Sequence, residues 1–111
     1  MNAHDLNTLL REHGGLRDLD LNGQDMSGFD LAGAVLQNLS LAGCNLQGGN
    51  LSGAHLEHCN LSGAKLNNAC LEDATFRNCD ATNADFSQAK AKSFICQEVF
   101  FGNALFIGND L

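Results

Sequence analysis

Two histidines, a glutamate and an arginine stand close together in the middle of the sequence, at His55, Glu57, His58 and Arg77. Imidazole and carboxylate groups are common ligands of divalent metals, but a metal site needs three or four ligands that converge on one point. The two histidines are three residues apart, in a segment that we expect to be a bending strand and not a helix. We therefore predict that this cluster holds no metal.

Five cysteines offer a second kind of chemistry, at Cys44, Cys59, Cys70, Cys79 and Cys96. No signal-peptide pattern precedes them, and thiols stay reduced in the cytoplasm, so we expect most of them to serve as small buried apolar residues. Cys70, which we place on the outside, is predicted to be the most reactive. No Ser/His/Asp, Cys/His or glycine-loop arrangement is supported by its local context. We therefore predict no catalytic residues and no cofactor.

The elements that position these residues follow a period of five. From Leu41 the sequence reads LAGCN LQGGN LSGAH LEHCN LSGAK LNNAC L, with a leucine opening each block. Steps of five from Leu21 to Leu111 give 19 central positions, all of them apolar, although apolar residues make up 44% of the chain. Such regularity indicates a structural repeat.

A period of five fits neither an α-helix nor a flat strand, because each step would turn the apolar residue away from a common core. It fits a chain that turns a corner every five residues. Gly or Asn usually stands two places after each centre, and these residue types tolerate such corners.

The blocks AGCNL, SGAHL, SGAKL, DATFR and NADFS resemble the A(D/N)Lxx signature of the pentapeptide-repeat family. The resemblance covers residues of about 16 to 111. It implies an all-β fold, a right-handed quadrilateral parallel β-helix with five residues on each side and twenty in each coil. Residues 16–111 would then form about four and a half coils. The predicted core residues are Leu41, Leu46, Leu51, Leu56, Leu61, Leu66, Leu71, Phe76 and Phe86.

On this fold Cys59 and Cys79 would lie one above the other, close enough for a disulfide. Reduced thiols remain our expectation. Residues 1–15 include leucines at helical spacing, Leu6, Leu9 and Leu10, followed by two glycines. A helix this short has little stability alone, so we predict a cap over the first coil and weigh it against a partner-binding amphipathic helix.

The chain is acidic, with 13 Asp and Glu against 6 Lys and Arg and a formal net charge of −7. This charge disfavours direct binding to nucleic acid or to an anionic membrane. Asp20, Asp25 and Asp30 precede three successive centres and should point outward on three sides of the first coil. They form a candidate acidic partner surface, which we call the acidic collar. The alternative is that these aspartates serve local backbone contacts and solubility.

The last coil departs from the pattern, because apolar residues take outward positions that elsewhere are mostly polar. Ile95, Phe100, Leu105 and Ile107 form a candidate self-association interface, which we call the apolar quartet. An exposed apolar ring of this kind marks an interface. It could meet a second copy as a homodimer, meet another protein, or be covered by further coils of a longer parent chain.

These features favour a non-enzymatic protein-binding or scaffold module that works in the cytoplasm, with a partner that the sequence does not identify. The family resemblance adds two alternatives. One is a DNA-mimicking protein that binds DNA gyrase and contributes to fluoroquinolone resistance, although the stack Asp20, Ser40, Asn60, Asp80 and Phe100 is sparse for imitating phosphates. The other is the repeat domain of a secreted bacterial effector.

Overall fold

The computed structural model describes residues 3–109. One helix, α1 (Ala3–His13), precedes five short strands. The strands are β1 (Gly15–Arg17), β2 (Val35–Gln37), β3 (His55–Glu57), β4 (Thr75–Arg77) and β5 (Ile95–Gln97). The helix ends where Gly14 adopts a left-handed conformation with φ of 69° and donates its N–H to the Leu10 carbonyl at 2.8 Å.

The strands form one parallel sheet in chain order, and each residue pairs with the residue twenty positions later, as Leu36 pairs with Leu56. Isolated parallel bridges with the same spacing build three further sides, which run through Ser40, Asn45 and Asn50. The chain is therefore a four-sided parallel β-helix, and the predicted fold is confirmed. We number the sides face 1 (the β1–β5 sheet) to face 4 in chain order, and the coils from one to five by the strand that opens each.

The corners explain the period of five. Every fifth residue from Asp18 to Gly108 has a positive φ, between 52° and 72°, whether it is glycine or not. L-amino acids with a Cβ rarely adopt this conformation, and Asn and Asp tolerate it best because their short side chains bond locally. The choice of residue two places after each centre is therefore set by the turn.

The core is a set of stacked side chains, one central residue from each side of each coil. All nine predicted core residues are buried, with at most 2% of their surface exposed. Small residues at the inner positions, such as Cys44, Ala54 and Ala64, fill the remaining space and are also fully buried. The interior is therefore packed with side chains and not available to a ligand.

Helix α1 packs against the first coil. Leu6 is 1% exposed and joins the core, while Leu9 and Leu10 are partly buried against it. This packing matches the predicted cap. Among the residues that the structure describes, no helix combines the length and the apolar character needed to cross a bilayer.

Candidate functional site: an apolar last coil and an acidic collar

The apolar quartet points outward, as its register predicts. The exposed fractions are 51% for Ile95, 72% for Phe100, 48% for Leu105 and 65% for Ile107. The residues directly below them in coil four are Thr75, Asp80, Asp85 and Ser87. Coil five therefore presents apolar side chains where coil four presents polar ones.

An aromatic cluster lies beneath the quartet. Phe86 stacks on Phe106 with ring centroids 5.0 Å apart and planes within 2° of parallel, and Phe101 meets both rings edge-on at 5.8 and 5.4 Å. Phe106 is nevertheless 40% exposed and Cys96 is also exposed, although both occupy central positions. The repeat pattern does not reveal this exposure, because it depends on the lack of a following coil among the described residues.

A polar contact at the same end was also missed from the sequence. The side-chain amide of Asn109 donates to the carbonyls of Phe86 and Ala89, at 2.7 and 3.1 Å. Asn109 stands at an inner position that elsewhere holds mostly Ala or Cys. A polar residue at such a position is the signal that could have indicated the contact.

The acidic collar is exposed on three faces of coil one. Asp20, Asp25 and Asp30 each accept the backbone N–H of the residue two places later, at 3.0 to 3.1 Å. Asn45 and Asn60 make the same contact in later coils. The collar aspartates thus stabilise turns, which is the local role that the sequence left as an alternative, and they also place negative charge on the surface.

These turns affect the pKa values of the carboxyl groups. The hydroxyl and backbone N–H of Thr82 donate to Asp80 at 2.6 and 3.0 Å, and they lower the pKa of Asp80. Ser27 lowers the pKa of Asp25 in the same way. In Asp85, the Asn67 side chain makes the largest contribution to a lowered pKa, followed by Ser87.

Replacing Asp80 with asparagine removes one acid-sensitive turn while keeping its acceptor oxygen. A carboxyl group with a lowered pKa in the folded state contributes stability above its unfolded pKa, about 3.9, and this contribution is lost as pH falls through the folded pKa. We therefore expect the Tm of Asp80→Asn minus the Tm of the parent to increase by about 1 °C when the pH is lowered from 6 to 2.5. The change is small because the carboxyl group is exposed. Thermal melts monitored by circular dichroism measure this difference. A constant difference across the pH range would contradict the assignment.

The five cysteines are free thiols in different surroundings. Cys44, Cys59 and Cys79 are buried, and the Cys44 thiol donates to the Leu21 carbonyl at 2.7 Å. Burial raises the pKa of Cys44, while a hydrogen bond with Cys79, and then burial, raise the pKa of Cys59. Burial, with a smaller contribution from Cys79, raises the pKa of Cys96 to about 11 although its side chain is exposed.

With Ellman's reagent at pH 8, we expect half-buried Cys70 to react first and Cys96 more slowly. At a pKa of about 11, only about one Cys96 in a thousand is a thiolate at that pH. The three buried thiols should react only after unfolding. Comparing the time courses of Cys70→Ser and Cys96→Ser identifies each phase. If Cys96→Ser lost the fast phase and Cys70→Ser kept it, the predicted order would be wrong.

The histidine cluster lies on face 1 and at its corner. His55, Glu57 and Arg77 are outward residues of β3 and β4, whereas His58 is the corner residue with φ of 54°. His58 Nε2 lies 3.8 Å from Glu57 Oε1. Within residues 3–109, no three His, Cys, Asp or Glu side chains form a group that could hold a metal ion.

Face 1 also carries a cavity that sequence reasoning missed. A depression of about 460 Å³ is lined by residues of α1 and by residues of the face 1 side of the first two coils. Leu9, Leu16, Leu19 and Val35 provide apolar lining, with His13 and Arg17 also on its wall. Val35 is 42% exposed. An apolar residue at an outward position of an early coil is the signal that could have indicated this depression.

The fold places this chain in the class of β-solenoids built from five-residue repeats. The side chains that can contact other molecules lie on the outer faces. The profile for pentapeptide repeats matches residues 16–53, 40–78 and 59–95, with 8 copies. The chain belongs to the pentapeptide-repeat family.

Several solved structures resemble this chain. Full-length QnrB1, a plasmid-mediated fluoroquinolone resistance protein, aligns with a TM-score of 0.83 and 26% identity over 87% of this chain and 48% of QnrB1. A pentapeptide repeat protein from the thylakoid lumen of Arabidopsis thaliana gives a TM-score of 0.75 and 28% identity over 79% of this chain and 61% of that protein. The present chain thus spans about half the length of QnrB1.

A pentapeptide repeat protein from Nostoc PCC 7120 aligns with a TM-score of 0.59 and 22% identity, over 88% of this chain and 93% of that one. At this identity the similarity shows the fold alone. No curated protein sequence matches the chain significantly.

Proposed function

We propose that this chain is a non-enzymatic scaffold that binds another protein through the apolar quartet of coil five. The observation that carries the proposal is the outward position of Ile95, Phe100, Leu105 and Ile107 on a surface that is otherwise mostly polar. The four side chains ring the last coil on faces 1, 2 and 3, and an exposed apolar ring rimmed by polar residues is typical of a protein interface. Phe100 is the best candidate for an anchor, because it is 72% exposed and large aromatic side chains dominate binding energies.

A second part of the proposal concerns the acidic collar at the opposite end. With a net charge of −7, the chain favours a basic partner and disfavours nucleic acid. The collar aspartates lie on three faces, so a partner that docks there would cover the end of the solenoid beside α1. We propose that this protein binding takes place in the cytoplasm. A second copy of the chain is one candidate partner of the quartet.

Replacing Phe100 and Leu105 together with aspartate should abolish self-association through coil five and leave the β-helix folded. Both side chains are outward, so the core ladders stay intact, while two charges would have to be desolvated in the contact. Light scattering over a range of concentrations measures the mass of parent and variant. We expect the mass of the parent to rise with concentration more steeply than the mass of the variant, which retains only contacts that do not involve Phe100 and Leu105.

The matched control is Asn45→Asp with Asn60→Asp, which adds the same two charges on the same two faces but in lower coils. Aspartate is already accommodated in these columns at Asp25 and Asp80. The control should therefore associate as the parent does. Equal masses for the Phe100 and Leu105 double variant and for the parent would show that the quartet is not the interface.

A second candidate function is a gyrase-directed role, favoured by the structural similarity to QnrB1, a fluoroquinolone resistance protein. The charge pattern argues against close mimicry of DNA. The outward column of face 2 reads Asp20, Ser40, Asn60, Asp80 and Phe100, with only two carboxylates in five coils. Titration of the chain into a DNA gyrase supercoiling assay tests this role. Loss of supercoiling would favour it, and unchanged supercoiling at excess protein would exclude it.

A further inference from the structure

Face 1 carries two outward columns of residues, one on each side of the central positions. The first column, in order of coils, is Gly15, Val35, His55, Thr75 and Ile95, and the second is Arg17, Gln37, Glu57, Arg77 and Gln97. The first column holds two exposed apolar residues, Val35 in coil two and Ile95 in coil five. The second holds a carboxylate in coil three, Glu57, directly below a guanidinium in coil four, Arg77.

These two pairs have the same midpoint along the solenoid. Val35 and Ile95 are three coils apart, so their midpoint lies between coils three and four. Glu57 and Arg77 occupy those two coils, so their midpoint is the same. A two-fold axis at that level, parallel to the strands, would therefore place each member of a pair opposite its counterpart.

We propose that face 1 binds face 1 of a second copy of this chain, with the two solenoids antiparallel. In this arrangement Val35 packs against Ile95 of the partner subunit, and Glu57 faces Arg77 of the partner subunit. Both contacts occur twice because the interface is isologous. The contacts that remain are polar, with Gln37 opposite Gln97 and His55 opposite Thr75 of the partner subunit.

The charges select this register over its neighbours. Moving the axis down by half a coil places Glu57 opposite Glu57 of the partner subunit, and moving it up by the same amount places Arg77 opposite Arg77. Like charges facing each other in an interface are unfavourable and suppress the wrong arrangement. The pattern on face 1 is therefore complementary to itself in one antiparallel register.

The depression on face 1 supports the same arrangement. Val35 lies on its wall with Leu9, Leu16 and Leu19, and its volume of about 460 Å³ is large enough for an aliphatic side chain. In the antiparallel dimer, Ile95 of the partner subunit arrives beside Val35 and enters this depression. Filling an apolar depression with an apolar side chain removes both surfaces from water, which favours association.

The contact is small. Four paired coils span only about 20 Å along the axis, at about 4.8 Å between neighbouring strands. A face of this length buries less than a standard stable interface, so we expect a reversible dimer. The contact is independent of Phe100 and Leu105, which lie on faces 2 and 3, and it shares only Ile95 with the apolar quartet.

Charge reversal tests the proposal. Glu57→Arg and Arg77→Glu each place like charges opposite each other, so each should weaken dimerisation by about tenfold or more, as measured by sedimentation equilibrium on the intact chain. The double variant Glu57→Arg with Arg77→Glu restores opposite charges, and its dissociation constant should return to near that of the parent. Circular dichroism verifies that all variants are folded.

Face 4 supplies matched controls. Glu72 in coil three and Lys92 in coil four are exposed and have the same relation to each other on face 4 as Glu57 and Arg77 have on face 1. Glu72→Arg and Lys92→Glu should leave the dimer unchanged. Val35→Asp should weaken the dimer, because it places a charge against Ile95 of the partner subunit. Val35 does not belong to the quartet, so this variant tests face 1 alone. A monomeric parent, single reversals without effect, or a double variant that fails to recover would each overturn the proposal.

Discussion

Replacing Phe86 with alanine is expected to lower the free energy of unfolding by about 3–5 kcal/mol. Phe86 is fully buried, stacks on Phe106 at 5.0 Å and meets Phe101 edge-on. The variant loses these contacts and the transfer free energy of the ring, and it leaves a cavity that the closed β-helix fills poorly. Urea unfolding monitored by circular dichroism gives the difference, provided that the slope of the transition is unchanged.

Phe100→Ala is the matched control, because it removes the same atoms from the neighbouring face of the last coil. Phe100 is 72% exposed, so its loss should change the stability of the monomer by no more than about 0.5 kcal/mol. Measurement at low protein concentration avoids any contribution from association. Similar losses in the two variants would show that burial does not distinguish these positions.

Gly15→Ala is expected to be the second most damaging change, at about 1–3 kcal/mol, by overpacking at the backbone. Gly15 opens β1 and pairs with Val35 of β2. A Cβ added at Gly15 would lie 2.0 Å from the Val35 carbonyl oxygen, which is backbone and cannot rotate away. The first coil would have to move away from the second, and α1 would lose part of its packing with it. Thermal and urea unfolding both measure the loss.

Gly102→Ala provides the comparison for Gly15→Ala. A Cβ at Gly102 would meet the Thr82 side chain at 3.7 Å, which is an ordinary van der Waals contact. We expect this variant to be as stable as the parent within about 0.5 kcal/mol. If Gly15→Ala were equally well tolerated, β1 would not be held as closely to β2 as the structure shows.

Much of the fold follows from the repeat. The period of five, with small residues before each centre and Gly or Asn after it, predicted a chain that turns a corner every five residues around a common core, and the resemblance to pentapeptide repeats implied the four faces. Leu41, Leu61 and Phe86 are buried as expected because their register is fixed by many equivalent neighbours. A regular solenoid is predictable because one local rule, repeated, determines nearly every position.

Features that depend on the ends or on pairs of coils could not be predicted in this way. Cys96 and Phe106 obey the rule for central residues and are nevertheless exposed. Asn109 uses an inner position for hydrogen bonds to two carbonyls. The depression beside Val35 depends on how α1 lies against the first two coils, and a repeat pattern carries no information about that contact.

The candidate surfaces were only partly accessible from sequence. The quartet was visible in the sequence because its apolar residues depart from the repeat, and the collar was visible because three aspartates follow one another at the polar position before each centre. The local role of Asp25 required the observed bond to the Ser27 N–H. The matching of Glu57 with Arg77 across a two-fold axis required the coil number of each residue to be known in three dimensions.

The coil of twenty residues also limits how the chain can change in length during evolution. Backbone hydrogen bonds join neighbouring coils at residues about twenty positions apart, as when Leu41 donates to Asn60 and Asn60 donates to Leu39. Duplication or loss of twenty residues preserves this pattern and adds or removes one layer. An insertion of five residues between Glu57 and Arg77 would keep the central apolar residues inside but rotate all later faces by a quarter turn, which would place these two residues on different faces. The columns on each face therefore stay aligned only when the chain changes by whole coils.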